Sequence, residues 1–352
     1  MDVKDEEKEQ DNCRFVPQKI FYQHRKQLFD IIEKIITEKN DRTACSLEVL
    51  PCRKLFSTIG AFSIVFSLYN EYKEDSKAYN IQVIAKVSDS RDDKLMTERD
   101  NNIIINQIVD KKISPHFVLN FDYRICKNMC TFLPDDNKKH NNINWTDVKN
   151  GHCIISFKEM FHGDVFSDVL TFEHNVIMSL ISQVIMGCMA LYHKKFEQND
   201  LHLGNVFYRH LLNDENTYFS YKIGDDTYLV KHCKFLFAIG DYGKLIDHRY
   251  SLREEETNYI FEDLLMFVRQ LREKLGERDS RYENLLFFMT KLFERALFIT
   301  KKNTGVLLSN IFRKIMEYCD TNDDYAIMRD IFKQNEFKGN KLVEKFDMDI
   351  SL

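Results

Sequence analysis

The chain has 352 residues, of which 44% are hydrophobic and 30% charged, with a net charge of −5. It holds only 11 Gly and 4 Pro, where average usage would give roughly 40 of the two together, so collagen-like, low-complexity and turn-dense sandwich classes are excluded. No basic excess points to nucleic acid or an anionic membrane, no apolar stretch is long enough to span a bilayer, and nine scattered cysteines read as free thiols.

Residues 1–14 read as a disordered charged tail with no secretory or transit character. Residues 15–47 read as a helical extension. Within it, 18–40 sets Phe21, Leu28, Ile31, Ile32, Ile35 and Ile36 on one face. The runs SLEVL, FSIVFSLY and NIQVIAKV are strand-like, with the polar stretch EYKEDSKA predicted as a loose hairpin between the last two. Residues 92–110 predict a helix, followed by strands in HFVLNFDYRIC and GHCIISFKEM on either side of a long polar loop.

Beyond residue 164 the pattern is mostly helical. The apolar stretch 172–195 predicts a buried helix. Short strands are expected around NVFYRH, YKIGDDTYLV and FLFAIGD, and amphipathic helices over 255–275, 281–300, 305–319 and 324–334. All four prolines precede residue 135, so nothing breaks helices later in the chain. The expectation is an α+β fold of two lobes, 48–160 and 161–335, with a ligand cleft between them and a tail over 336–352.

Several short patterns carry chemistry. Asp200-Leu201-His202-Leu203-Gly204-Asn205 places a carboxylate and an amide five residues apart on a loop. The first can accept a proton from an attacking hydroxyl, and the second can offer an oxygen to Mg²⁺. Asp241, in Ile239-Gly240-Asp241-Tyr242-Gly243, follows an apolar strand; Asp225 is a competing position with less apolar flanks. Lys86 ends the strand Val83-Ile84-Ala85-Lys86, and Glu98 is the only glutamate between Lys86 and Glu159. Thr58 to Val65 holds one glycine, Gly60, and Phe157 to Phe166 ends in Gly163-Asp164-Val165-Phe166. Each residue also has an ordinary reading. Lys86 can be an edge lysine, Glu98 a solvated helix charge, Asp200 with Asn205 a loop cap, and Asp241 a turn former.

Taken in order, these pieces resemble the protein-kinase-like superfamily over roughly residues 48–275. They look most like the divergent kinases of large DNA viruses, iridovirus-like in their L-H-x-G-N loop. The resemblance implies a bilobal kinase-like fold, ATP and Mg²⁺ as cofactors, and a protein hydroxyl as acceptor, in host cytoplasm or virion. It implies Asp200 as the residue that orients the acceptor and takes its proton. Asn205 and Asp241 would hold Mg²⁺, and Lys86, paired with Glu98, would grip phosphates. Gly60 and Val65 would belong to the phosphate loop. Phe157 would be a bulky gatekeeper, Lys158, Glu159 and Met160 the adenine-binding hinge, and Asp164 a neighbour of the ribose.

The chain departs from the family pattern in several places. Thr58 and Ser63 replace two loop glycines, Gln198 stands where the loop histidine belongs, and His202 stands where serine/threonine kinases carry lysine. No A-P-E follows Asp241, and only 21 residues lie between it and Asp263, which resembles the family's buried helix acid. A pseudokinase acting as a binding module and a small-molecule kinase remain alternatives to a serine/threonine kinase.

Overall fold

A computed structural model describes residues 19–38, 52–57, 63–74, 77–89, 93–126, 153–223, 225–249, 259–276, 279–297, 310–311, 313–315, 317–319, 332–334 and 341–348. The fold is α+β, in two compact units. The first comprises residues 1–104 and 118–162, and the second 105–117 and 163–352. The helical extension belongs to the first unit, and 105–117 leaves it for the second.

The first unit opens with a 3-10 turn, Tyr22–His24, and helix α1, Arg25–Glu38. Strands β1 (Cys52–Ser57), β2 (Ser63–Glu74) and β3 (Lys77–Asp89) precede helix α2 (Asp93–Asp110), whose last residues pass to the second unit. Strands β4 (Asn120–Cys126) and β5 (Cys153–Glu159) complete an antiparallel sheet of order β1-β2-β3-β5-β4. The polar stretch expected to separate β2 from β3 is instead mostly strand, with Glu74 opposite Lys77. Ladder hydrogen bonds join main chains, so polarity alone does not end them.

Register assigns the two faces of this sheet. Phe66 pairs with Ala85 and Ala85 with Phe157, while Val65 pairs with Lys86 and Lys86 with Ser156. One face is therefore apolar: Phe66, Leu68, Val83, Ala85, Val87, Ile155 and Phe157 are all buried. Helix α1 packs on that side with Phe29, Ile32, Ile35 and Ile36 buried, and Phe29 lies 4.9 Å from Phe121 between ring centroids. Arg124 of β4 donates to the Ile36 carbonyl and so satisfies a last-turn acceptor. Helix α2 serves the other face, where Tyr123 donates to the Glu98 carbonyl.

In the second unit, strand β6 (Gly163–Asp164) and the short helix α3 (Val165–Asp168) lead to helix α4, His174–His193. Every residue of α4 from Val176 to Leu191 is buried. Among the described residues it is the one helix long and apolar enough to cross a membrane by length and composition, and it is spent on the core of the unit. Its Gln183 accepts from Phe237 N at 2.9 Å and donates to Phe235 O at 3.1 Å, pinning a strand to the helix. Gly187 lets that strand approach, since a Cβ there would lie 2.9 Å from Ile239 Cδ1.

After β7 (Phe196–Glu197) come β8 (Val206–His210), β9 (Thr217–Ile223), β10 (Asp226–Lys231), β11 (Phe235–Ile239) and β12 (Ile246–Asp247). Asp225 sits in the exposed turn between β9 and β10. Helices α5 (Tyr259–Leu275) and α6 (Ser280–Leu297) pack together, and residues 310–311, 313–315 and 317–319 are helical.

Two expectations fail at the C-terminus. Residues 332–334 form strand β13, not the end of a helix, and pair with β10. Residues 341–348 form strand β14, not part of a tail, and run parallel to β9 in a sheet of order β13-β10-β9-β14. The cause is a cluster of residues distant in sequence: Phe346 is buried and stacks on Tyr221 at 5.2 Å, while Lys112 pairs with Glu344 at 2.8 Å.

Candidate functional site

In the second unit, the loop after β7 is tied down at almost every residue. Asp263 of α5 is buried and accepts from the backbone N–H of Gln198 at 2.8 Å and of Asn199 at 2.9 Å. Burial pushes its pKa up to about 7, against the pull of those two donors. Gln270, also on α5, accepts from Leu203 N at 2.9 Å. Helix α5 thus sets the path of the loop from below.

Gln198 is fully buried and uses both ends of its amide. Its Oε1 accepts from Asp200 N at 2.6 Å, and its Nε2 donates to the carbonyls of Gly240 (3.2 Å) and Asp241 (3.0 Å). Asn205 donates from Nδ2 to the Asp200 carbonyl at 3.0 Å, which directs its Oδ1 elsewhere. Beyond the last β8–β11 pair, Val206 with Ile239, Gly240 N donates to Asn205 O at 2.8 Å. Asp200, Asn205 and Asp241 therefore belong to one hydrogen-bonded network at the end of one β-ladder.

Asp241 is exposed and left-handed, at φ 52° and ψ 79°. A non-glycine residue held there costs on the order of 1–3 kcal/mol and persists only where its surroundings demand it. Here the demand comes from both sides. Gln198 holds the Asp241 carbonyl, and Tyr242 behind it is fully buried with its hydroxyl donating to Ile239 O. Lys244, on the same turn, places Nζ 2.9 Å from Asp200 Oδ1.

In the first unit, Lys86 Nζ lies 3.1 Å from Glu98 Oε2, and Glu98 is 3% exposed, so it is no solvated helix charge. Lys158 of β5 also donates to Glu98. Burial raises the Glu98 pKa, but the two ammonium groups outweigh it and hold the carboxyl at about 2. The sequence reading gave Lys158 only a backbone role in the hinge, and placed Phe157 as the gatekeeper. Register shows why that was wrong: Phe157 opposes Ala85 on the apolar face, whereas Lys158 opposes Ile84 on the face of Lys86. Val65 pairs with Lys86 and shares that face; Gly60 lies outside the described residues.

The other predicted residues are committed differently. Glu159 gives its carboxylate to Arg25 of α1, at 3.0 and 2.7 Å, and its N–H to Leu119 O at 2.9 Å. Its side chain is thus a structural anchor for α1 rather than a ligand group. Met160 is buried, with Sδ accepting from Ser67. Asp164 caps α3, accepting from Ser167 N at 2.9 Å and Ser167 Oγ at 3.0 Å. Arg25, Lys244 and the pairing of Lys158 with Glu98 were missed, because each meets its partner across a distance in sequence that no local spacing encodes.

Among the described residues, no three His, Cys, Asp or Glu side chains gather as a metal cluster. The oxygen donors that the resemblance assigns to an ion are the Asn205 amide and the Asp241 carboxylate. Such a short, hard set suits Mg²⁺, which keeps several waters and takes further ligands from phosphates. A surface cavity of about 600 Å³ lies between α5 and α6, lined by Arg269, Arg272, Glu283 and Glu294. Its charges pair with one another, and no predicted site residue borders it. Compared with known proteins, the chain matches no family model and no curated protein.

Proposed function

We propose that this chain is a Mg²⁺- and ATP-dependent phosphotransferase of protein-kinase-like fold, acting on a hydroxyl, with a protein serine or threonine as the acceptor class. The observation that carries the reading is the network of Asp200, Asn205, Gln198 and Asp241, in which the three residues matched to kinase motifs are hydrogen-bonded neighbours tied together through Gln198 and the Asn205 backbone. The Lys86–Glu98 pair and the sheet order β1-β2-β3-β5-β4 add independent support.

Asp200 is the base. Its backbone N–H is held by Gln198, so the loop presents its carboxylate in one orientation to an incoming hydroxyl. Asn205 and Asp241 would hold the magnesium ion, Asn205 through the oxygen left by its bond to Asp200. Lys86 is the phosphate-gripping cation, and Glu98, kept ionised by two lysines, holds it extended. Bound Mg-ATP supplies the phosphoryl group and an ion that neutralises its charge. Catalysis by such residues is mostly positioning and charge stabilisation.

The test is incubation with labelled ATP, Mg²⁺ and a generic protein substrate, beside Asp241→Ala and Lys86→Met. Label transfer lost in both variants is the expected result. Absence of transfer, together with no rise in melting temperature on adding Mg-ATP, refutes the reading. A Mg-ATP-dependent rise without transfer is what a pseudokinase predicts.

A further inference from the structure

We propose that Lys244 contacts the phosphoryl group in transit, supplying positive charge beside Asp200. The inference rests on the phosphotransferase reading above and concerns the same loop. Lys244 Nζ lies 2.9 Å from Asp200 Oδ1. Its backbone is set by the turn that sets Asp241: Tyr242 is buried, and Leu245 N returns to Tyr242 O at 3.2 Å. The base of the side chain is therefore fixed relative to the candidate magnesium ligand, while its end reaches the candidate base.

Its side chain is 62% exposed, and that of Asp200 is 25% exposed. An ion pair this open does little for stability. The ammonium can exchange the Asp200 carboxylate for another anion at small cost. A hydroxyl that delivers its proton to Asp200 comes within hydrogen-bond reach of that carboxylate, and so into the neighbourhood of Lys244. In the step, the hydroxyl oxygen bonds to phosphorus as the bond from phosphorus to the departing ADP oxygen breaks. The hydroxyl proton passes to Asp200, and Lys244 keeps its own. Negative charge spreads over the phosphoryl oxygens, and a cation within reach stabilises it.

His202 is poorly suited to that task. Its Nδ1 is already engaged, accepting from Gly204 N at 3.1 Å within the loop itself. Its other nitrogen lies 4.0 Å from Asp200 Oδ2, beyond a hydrogen bond.

The first test needs no turnover. Lysine acetylation by an N-hydroxysuccinimide ester is followed peptide by peptide by mass spectrometry, with Mg-ADP alone and with Mg-ADP plus aluminium fluoride, which mimics the phosphoryl in transit. Lys244 should be protected about tenfold by the second and little by the first, since only the mimic adds charge near its ammonium. In turnover, Lys244→Ala should lower kcat by about 10²-fold with KM for ATP changed less than about threefold, the signature of a contact made in the transition state. Lys244→Arg should keep most of kcat, and adding His202→Lys to Lys244→Ala should restore much of it. Equal labelling of Lys244 under both conditions, or full kcat in Lys244→Ala, overturns the proposal. If the wild-type melting temperature responds to nucleotide but Lys244 is not protected, this inference alone fails. If no nucleotide moves it, the phosphotransferase reading fails and takes this one with it.

Discussion

Glu98→Gln removes the anion shared by Lys86 and Lys158, and its cost can be worked in two ways. The carboxyl sits at about 2 against an ordinary 4.5, because two lysines outweigh the effect of burial. At about 1.4 kcal/mol per unit, that depression stabilises the folded chain by about 3 kcal/mol at neutral pH. Breaking a buried ion pair from one side costs about 3–5 kcal/mol by mutational experience, so the two routes agree. The pKa is depressed in the folded state, so the stabilisation is complete above the unfolded value and is lost as pH falls from 4.5 through 2. Urea unfolding of wild type and variant should therefore differ by about 3 kcal/mol at pH 7, with the gap about 1.4 kcal/mol smaller at pH 3.5. Lys158→Met, which leaves Lys86 as the partner, should narrow that pH dependence. A gap below about 1 kcal/mol at pH 7, the level of an exposed pair, refutes the reasoning, and so does a gap of equal size at both pH values.

Arg25→Met and Glu159→Gln should each lower stability by about 3–5 kcal/mol, and Arg25→Met/Glu159→Met should be no worse than either, as a double-mutant cycle in urea would show. Additive losses would mean that the Arg25–Glu159 pair does not fasten α1 to the sheet. Gln198→Ala should cost about 1–3 kcal/mol in unfolding free energy through its three lost hydrogen bonds, and should lower the rate of label transfer. Gln198→His, whose ring can still donate to the Asp241 segment, should retain more activity than Gln198→Ala. Phe346→Ala should cost about 3–5 kcal/mol by calorimetry, because its ring is buried against Tyr221. An unchanged melting temperature would show that β14 is dispensable.

The long helices were legible from the sequence. Helix α2 was expected over 92–110 and runs over Asp93–Asp110; α4 was expected over 172–195 and runs over His174–His193. The N-terminal helix begins later than expected, because Phe21 offers no side-chain cap and the first turn is 3-10. Strand β14 was illegible because its reason for being a strand lies at Tyr221 and Lys112, far away in sequence. Its own run, Lys341 to Met348, mixes charged and apolar residues, as an edge strand can.

The site divides along the same line. Asp200, Asn205 and Asp241 could be singled out as candidates because each stands in a short local pattern, within a loop or at a strand end, and the structure joins them in one hydrogen-bonded network. The residues that hold them were not. Gln198 stood out only as a departure from an expected histidine, yet its buried amide bonds both the Asp200 and the Asp241 segments, a connection no local spacing encodes. Lys158 illustrates the limit more sharply. On sequence it is one of many lysines, and Phe157 beside it is the larger, more conspicuous residue. Only strand register, Ile84 against Lys158 and Ala85 against Phe157, decides which of the two shares a face with Lys86. A shift of one residue in that ladder would exchange them, bury a cation in the apolar face and leave Glu98 with Lys86 alone. The charge on Lys158 therefore acts on register itself: the pairing that satisfies Glu98 is also the pairing that keeps the apolar face dry.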